Sequence, residues 1–294
     1  MTNSLFLISD KLFKYDLKIF SMPELPEVET TRLVLCKLLL EEKIKLVKVI
    51  NNKLRYEVPK NFSIKTKNKT IKNIIRRGKF LIFNLSQNLS FISHLGMTGI
   101  FRIEKKYQHQ KHDHVSFFLN NLVITYNDVR KFGFFKLQNQ DKINESKHLI
   151  SLGVEPLSKE FNANLLEKLL HKKSQNIKSF LMNQKYIAGL GNIYCSESLF
   201  EAGISPLKIC RRISRSEIKK IVIAIKKVLR RSVKKGGTSL QNFEDPHGNI
   251  GYFSNYLKVY NRNGKSCYRC KKNVKISKLV IQGRSTFYCQ KCQK

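Results

Sequence analysis

Four cysteines near the C-terminus constrain the fold of this chain more than any other feature. They form two pairs separated by eighteen residues: Cys267 with Cys270, and Cys289 with Cys292. Two such turns can deliver four thiolates tetrahedrally to one Zn²⁺. Because four protein ligands leave no open coordination position, the sequence predicts one structural zinc and places any chemistry elsewhere. The metal would staple a short hairpin over residues 278–288 and hold Arg284 at its tip.

The first half of the chain is rich in predicted strands. A helix over residues 27–40 is followed by short segments that are β-branched or aromatic and are separated by Asn, Gly and Lys turns. These segments are residues 46–50, 71–75, 79–85, 115–119, 122–126 and 133–137. The pattern predicts an antiparallel β-sandwich or barrel with the first helix against it, in a domain of residues 22–137.

The second half is helical, so the fold class is α+β with more than one domain. A polar linker, residues 138–151, precedes predicted helices at 162–172, 175–184, 192–202 and 216–235. Ser214 and Glu217 have the spacing of a capping box at the start of the last helix, and Gly236-Gly237 closes it. We therefore predict a helical domain over residues 152–258 and a cysteine-bearing hairpin unit over residues 259–294.

Charge and composition indicate a polyanionic partner. The chain carries 56 Lys and Arg against 21 Asp and Glu, a formal charge of +35. Nucleic acid is the first candidate, although an AT-rich genome also raises the lysine content without selection for binding. No apolar run reaches the roughly 18 residues that span a bilayer. Cysteines arranged for metal rather than disulfides favour a reducing compartment, so we expect the cytoplasm.

The segment Met22-Pro23-Glu24 can become a reactive chain end. If translation starts at Met22 and that residue is removed, Pro23 gains a secondary amine that can attack an aldehyde-like carbon and form an iminium. Residues 1–21 are then either a mistaken upstream start or a removable leader, and they are excluded from the fold prediction. The alternative is structural, because Pro-Glu pairs are also common helix starts.

Several motifs in order resemble the formamidopyrimidine-DNA glycosylase family of bacterial DNA-repair enzymes. The resemblance covers residues 22–294. The motifs are Met22-Pro-Glu-Leu-Pro-Glu-Val-Glu29, His94-Leu-Gly-Met-Thr98, Lys111-His-Asp-His114, Gly189-Leu-Gly-Asn-Ile-Tyr194, Glu197-Ser-Leu-Phe200 and Thr286-Phe-Tyr-Cys-Gln-Lys-Cys292. It implies a β-sandwich catalytic domain, a helix-two-turn-helix DNA-binding domain and a zinc-finger hairpin.

The resemblance also implies four catalytic residues. Pro23 would attack C1′ of the damaged nucleotide and form a Schiff base, and Glu24 would be the acid as the glycosidic bond breaks. Lys79 matches the family's lysine for β-elimination. Arg284 matches the hairpin arginine that contacts phosphate and acts in δ-elimination. Taken alone, Lys79 and Arg284 would be surface charges.

Further residues are implied to contact DNA. An enzyme that extrudes a base must fill the gap, and Met97, Arg130 and Phe132 match the family's wedge residues. The family usually has Pro and Arg where this chain has Val129 and Lys131, which raises the question of how this loop is held rigid. The remaining matches are His112, Lys173 and Asn192 as DNA contacts, Asp113 and His114 as structural residues, and Gly236 to Ser239 as the start of a lesion-recognition loop.

The sequence therefore predicts a monomeric glycosylase and abasic-site lyase for double-stranded DNA that carries 8-oxoguanine or formamidopyrimidines. One alternative is the endonuclease VIII type, which prefers oxidised pyrimidines; Leu25 disfavours it because that group typically has glycine there. The other alternative is a zinc-ribbon nucleic-acid binder without catalysis, in which Pro23, Glu24 and Lys79 have no chemical role.

Overall fold

The computed structural model describes residues 23–238 and 253–294. The predicted extension, residues 1–21, lies outside these ranges, and so does Ser239 of the predicted lesion-recognition loop.

Eight antiparallel strands form two sheets in the first half of the chain. In chain order they are β1 (Leu46–Val49), β2 (Ile71–Arg77), β3 (Phe80–Leu85), β4 (Leu89–His94), β5 (Gly99–Glu104), β6 (Asp113–Phe118), β7 (Val123–Asp128) and β8 (Phe134–Asn139). One sheet has the order β1-β6-β7-β5 and the other β2-β3-β4-β8. The predicted antiparallel sandwich is thereby confirmed.

Aromatic residues fill the space between the two sheets. Helix α1 (Leu25–Leu39) contributes Val28 and Leu35 to this core, and the short helix α2 (Phe62–Thr66) contributes Phe62. The Phe62 ring lies 5.4 Å from that of Phe91 and 5.5 Å from that of Phe135. The core thus fixes α1 against the sandwich, and with it the position of Glu24 at the start of α1.

Strands β4 and β5 were absent from the prediction. Both carry polar residues that are buried in the folded chain, among them Ser90 and Ser93 in β4 and Arg102 and Glu104 in β5. Such residues interrupt the apolar alternation by which a strand is predicted. Ser90 donates to Asn84 and Arg102 donates to Asp113, and both partners come close only in the folded chain.

The helical part contains four α-helices in the described residues. They are α3 (Ala163–Leu170), α4 (Ile177–Met182), α5 (Asn192–Ala202) and α6 (Arg215–Lys234). The predicted capping box of α6 is confirmed, because Ser214 accepts from the Glu217 backbone and Glu217 accepts from the Ser214 N–H at 2.9 Å. Helix α5 is almost wholly buried against α6, and its N-terminus faces the sandwich.

The cysteine unit carries four short strands: β9 (Ser266–Cys267), β10 (Lys271–Lys275), β11 (Ser277–Ile281) and β12 (Arg284–Tyr288). Gln282 and Gly283 join β11 to β12 with φ of 47° and 70°, the positive values of a tight primed hairpin turn. At the far end of α5, Gln293 donates to the Ile204 carbonyl at 2.9 Å. The unit therefore runs along α5 from end to end.

Within the described ranges, none of the helices is both long and apolar enough to cross a bilayer.

Candidate active site and nucleic-acid interface

Glu24 lies where the sandwich meets the helical domain. Its carboxylate accepts hydrogen bonds from the backbone N–H groups of Ile193 at 2.9 Å and Tyr194 at 3.3 Å, in the first turn of α5. The residue is 1% exposed. A helix N-terminus stabilises a negative charge, so the fold provides a prepared position for this carboxyl. Pro23, the residue before it, is also buried.

Burial raises the pKa of Glu24 above its ordinary value, and the nearby carboxylate of Glu27 adds to this effect. The positive charge of Lys79 and the two backbone N–H groups act in the opposite direction but do not cancel it. A raised pKa keeps the proton on the carboxyl group at a higher pH than usual. The environment of Glu24 thus favours a group that can donate a proton.

Gly191 brings Glu24 and Lys79 together. A Cβ atom at this glycine would lie 2.3 Å from Cδ of Glu24 and 2.7 Å from Nζ of Lys79. Both side chains therefore rest on the bare backbone of the turn before α5. Two candidate catalytic residues that are far apart in the sequence share this contact.

Glu155 fixes the turn that carries Lys79. Its carboxylate accepts from the Gly78 N–H at 2.5 Å and pairs with Arg76 at 2.8 Å and Arg77 at 3.1 Å. Glu155 belongs to the segment that leads into the helical domain, so this bridge ties β2 and β3 across the domain junction. These contacts of Glu155 were not predicted from the sequence.

Glu27 is a second buried acid that was not predicted as part of the site. Its Oε2 accepts from the Glu24 N–H at 2.9 Å, and its Oε1 accepts from the Tyr194 hydroxyl at 2.5 Å and the Thr238 N–H at 2.8 Å. It therefore connects the start of α1, the helix α5 and the segment after α6. Glu27 lies within the motif of residues 22–29 but was assigned no role there; the structure shows it in a capping box at the start of α1.

Lys178 is a buried lysine beside the same junction. Its ammonium donates to the Asn192 amide oxygen and to the Thr286 hydroxyl, each at 2.6 Å. Desolvation lowers its pKa from 10.5 to about 8. Lys178 was predicted to lie in a helix but was assigned no role, because nothing in the sequence distinguishes it from the many surface lysines of this chain.

Asn192 contacts the residue after Arg284 where the hairpin reaches α5. The Asn192 amide donates to the Ser285 carbonyl at 2.9 Å while accepting from Lys178. Arg284 is exposed at the first position of β12, directly after the hairpin turn. The Asn192 side chain is thus bonded on both sides, to Lys178 and to Ser285. Arg284 lies one residue before Ser285, at the same edge of the junction.

The three predicted wedge residues lie on two neighbouring loops. Phe132 is 43% exposed although it is a large apolar side chain. The guanidinium of Arg130 lies 4.8 Å from the centre of its ring. Met97 is half-buried in the loop between β4 and β5. An exposed phenylalanine held beside an arginine is available to contact a stacked, charged partner.

Asp128 holds these loops in place without the family's proline. Its carboxylate accepts from the Thr98 hydroxyl at 2.5 Å, the Gly133 N–H at 2.8 Å and the Arg130 N–H at 3.2 Å. The residue is fully buried. A Cβ at Gly96 would come within 2.5 Å of the Gly133 nitrogen, so the two loops pack backbone to backbone.

His94 fixes the start of the Met97 loop. Its Nδ1 accepts from the Gly96 N–H at 3.0 Å. Burial and the nearby charge of Lys79 lower the pKa of His94 to about 3, which keeps the imidazole neutral and this acceptor available. The ring packs between Phe80 and Phe134.

The two remaining residues that were predicted to contact DNA, His112 and Lys173, lie in two separate places. His112 adopts φ of 74°, and its carbonyl accepts from the Asp128 N–H at 3.1 Å, so it adjoins the wedge loops. Lys173 lies in the turn between α3 and α4, with its ammonium 5.4 Å from the Tyr186 ring centre. That environment is separate from the contacts around Glu24.

The four cysteines form a cluster suited to one metal ion. All four sulfur atoms lie within 4.8 Å of one another. The Sγ atoms of Cys267 and Cys292 are 3.9 Å apart, and those of Cys270 and Cys289 are 3.8 Å apart. A tetrahedron with Zn–S bonds of about 2.3 Å has edges of about 3.8 Å, so the donor set fits Zn²⁺.

Two family models match the chain. The formamidopyrimidine-DNA glycosylase N-terminal domain matches residues 22–135, and the H2TH domain of the same enzymes matches residues 152–244. The formamidopyrimidine-DNA glycosylase of Wolbachia pipientis subsp. Culex pipiens is 42% identical over 274 residues, which cover 92% of this chain and 100% of the relative.

Solved structures of a Lactococcus lactis protein are similar over the same length. Its complex with DNA containing an abasic site has a TM-score of 0.84 and 35% identity, covering 92% of this chain and 99% of that one. Its complex with DNA containing an oxidised pyrimidine has a TM-score of 0.84 and 34% identity, covering 92% and 100%. Fold and comparisons together define a base-excision-repair DNA glycosylase of the helix-two-turn-helix class. Within that class, the chain belongs to the formamidopyrimidine-DNA glycosylase family.

Proposed function

We propose that this chain removes oxidised purines, 8-oxoguanine and formamidopyrimidines, from double-stranded DNA and then nicks the abasic site by β,δ-elimination. The observation that carries the proposal is the Glu24 carboxyl, buried on the N-terminus of α5 beside Lys79 and Pro23. Such a site holds an acid, an amine and a potential nucleophile together at the domain junction.

Pro23 is the proposed nucleophile. After Met22 is removed, its secondary amine attacks C1′ of the damaged nucleotide, and the bond from C1′ to the base breaks as the amine loses its proton and the base leaves. The bond from C1′ to the sugar ring oxygen then breaks, which leaves an iminium between the chain and the opened sugar. Glu24 protonates the sugar ring oxygen as this bond breaks. The N-terminal family model begins at residue 22, which supports Met22 as the start of the functional chain.

Lys79 and Arg284 are proposed to act after base release. Lys79 rests beside Glu24 on Gly191, which supports a role for it in β-elimination. Arg284 at the hairpin tip contacts the phosphate and assists δ-elimination. The four-cysteine cluster would hold one Zn²⁺, which stabilises the hairpin and takes no part in the reaction.

The DNA surface is proposed to combine Met97, Arg130 and Phe132, which fill the gap left by the extruded base, with backbone contacts from His112, Lys173 and Asn192. The formal charge of +35 supports a long electrostatic footprint on DNA. We infer that the protein acts as a monomer in the compartment that holds the chromosome, the bacterial cytoplasm.

Borohydride trapping tests the proposal. Protein expressed from Met22, with an N-terminal proline verified by mass, is mixed with a duplex carrying 8-oxoguanine opposite cytosine. We expect a covalent protein–DNA band, and peptide mapping of this band should place the sugar on the Pro23 nitrogen. A protein whose intact mass still includes Met1 should bind the duplex without nicking it. Efficient nicking by that longer form would refute the proline mechanism.

A second candidate substrate class is the oxidised pyrimidine, because the Lactococcus lactis relative was solved with DNA of that kind. Competition between the two lesions decides the ranking. We expect the purine lesion to be excised faster, and a preference for the pyrimidine would assign the endonuclease VIII type of specificity.

A further inference from the structure

The outer face of the β1-β6-β7-β5 sheet is polar and yet buried. Arg102 is 1% exposed, Thr125 0%, Asp113 3% and Asn127 8%. Residues 105–111, which join β5 to β6, cross this face and cover it. The Tyr107 ring in this covering segment lies 5.8 Å from that of Phe118 on β6.

Three side chains of this face bind the covering segment through hydrogen bonds. Arg102 donates to the Gln108 carbonyl at 3.1 Å and to Asp113 at 3.0 Å. Asp113 accepts from the Gln110 N–H at 2.9 Å. Asn127 donates to the Lys111 carbonyl at 2.8 Å and to Asp113 at 2.9 Å. The segment is therefore fixed at three successive points before His112.

Stability alone does not explain such a network. Burying charges is costly, and well-packed apolar residues of similar volume are often at least as stable as a buried ion pair. Arg102 even leaves its Nε without a hydrogen bond within the described residues. What a bonded network provides is a defined position for the segment it holds.

The held segment ends beside the wedge loops. His112 follows it with φ of 74°, and its carbonyl accepts from the N–H of Asp128, whose carboxylate bonds the backbone of Arg130 and Gly133. Lys111 is exposed there. We propose that Arg102, Asp113 and Asn127 are positioning residues that hold Lys111 and His112 for contact with the DNA backbone. This inference rests on the proposed function, since it requires DNA on that surface.

The test is the salt dependence of binding to a duplex carrying a reduced abasic site. Arg102→Met removes the guanidinium donors and replaces them with an apolar side chain of similar length. We expect its Kd to rise about tenfold and the slope of log Kd against log salt to fall by about one, as when one phosphate contact is lost. Arg102→Lys should recover part of both. An unchanged slope and Kd would overturn the proposal.

A mutant cycle separates positioning from general damage. In the Lys111→Ala/His112→Ala background, Arg102→Met should change Kd less than about twofold, because its effect is transmitted through those residues. The same tenfold loss in that background would overturn the proposal. Ser90→Ala is the matched control, because Ser90 is buried and bonded to Asn84 in the other sheet; it should lose stability without a change in slope.

Two safeguards keep the test decisive. If Arg102→Met does not fold, Asn127→Ala releases the Lys111 carbonyl while the ion pair of Arg102 and Asp113 remains, and the same slope is measured. Binding to the reduced site needs no catalysis. Failure of Pro23 trapping would therefore contradict the proposed function, whereas the slope decides the positioning role independently.

Discussion

Charged side chains are buried at the domain junction and exposed on the wedge loops. At the junction, Glu24, Glu27 and Lys178 are withdrawn from water, and each is held by at least two hydrogen bonds. On the wedge loops, Arg130 and Phe132 are exposed and contact chiefly each other. The first region contains an acid whose pKa is raised by burial, and the second presents an apolar ring and a cation to solvent.

The two regions share one device. Each is organised by a fully bonded, buried carboxylate that was not predicted as functional: Glu27 at the junction and Asp128 under the wedge loops. A buried carboxylate with several N–H and O–H donors fixes backbone geometry. The residues that act can then be either buried or exposed, as their chemistry requires.

Gly191→Ala should have the largest effect on the excision rate, because its added Cβ displaces two side chains at the junction and leaves the wedge loops unchanged. Its Cβ would come within 2.3 Å of Glu24 and 2.7 Å of Lys79, so both must move. Displacement of about 1 Å can cost about 10²-fold in rate. We expect a fall of that order in single-turnover excision of 8-oxoguanine by the chain that begins at Pro23.

Gly264→Ala is the control for this substitution. A Cβ at Gly264 would meet no atom within 4 Å, although its φ of +76° makes alanine strained. Stability should fall by about 1 kcal/mol while the excision rate stays the same. If Gly191→Ala behaved like Gly264→Ala, the contact with Glu24 and Lys79 would have no catalytic importance.

Phe132→Ala should have a smaller and more selective effect. Because Phe132 is exposed, its loss should change the free energy of unfolding by no more than about 0.5 kcal/mol. Excision of an intact lesion should slow about tenfold, since extruding a stacked base costs a few kcal/mol that the wedge offsets. Nicking of a preformed abasic site should be less affected. Equal losses on both substrates would argue against a wedge.

Lys178 should produce an effect of a different kind, a pH dependence of stability. Its pKa is about 8 in the folded chain and 10.5 ordinarily, so between these values the unfolded chain binds the extra proton. Stability therefore rises with pH in this window. Relative to Lys178→Met, the wild-type chain should gain about 1.4 kcal/mol per pH unit between about pH 8 and pH 10.5, and nothing outside this window. Chemical unfolding at several pH values measures this, and parallel curves would contradict it.

Local signals in the sequence determined much of the architecture. The spacing of the cysteines predicted their cluster, and Ser214 with Glu217 predicted the start of α6, because both depend on residues that are close in the chain. The antiparallel sandwich followed from short β-branched segments and their turns. The roles of Pro23, Glu24, Lys79 and Arg284 came from the family resemblance and stay predictions until they are tested.

Tertiary structure alone decided the environments. Glu24 meets the N–H groups of Ile193 and Tyr194 across almost 170 positions of sequence, and no local pattern encodes that contact. Strand β5 was not predicted because an arginine such as Arg102 is typical of the surface. Its burial depends on hydrogen bonds to Gln108 and Asp113, which only the folded chain provides. The physical reason is the same in both cases: desolvation and hydrogen bonding depend on which distant groups surround a side chain, and only the folded chain brings those groups together.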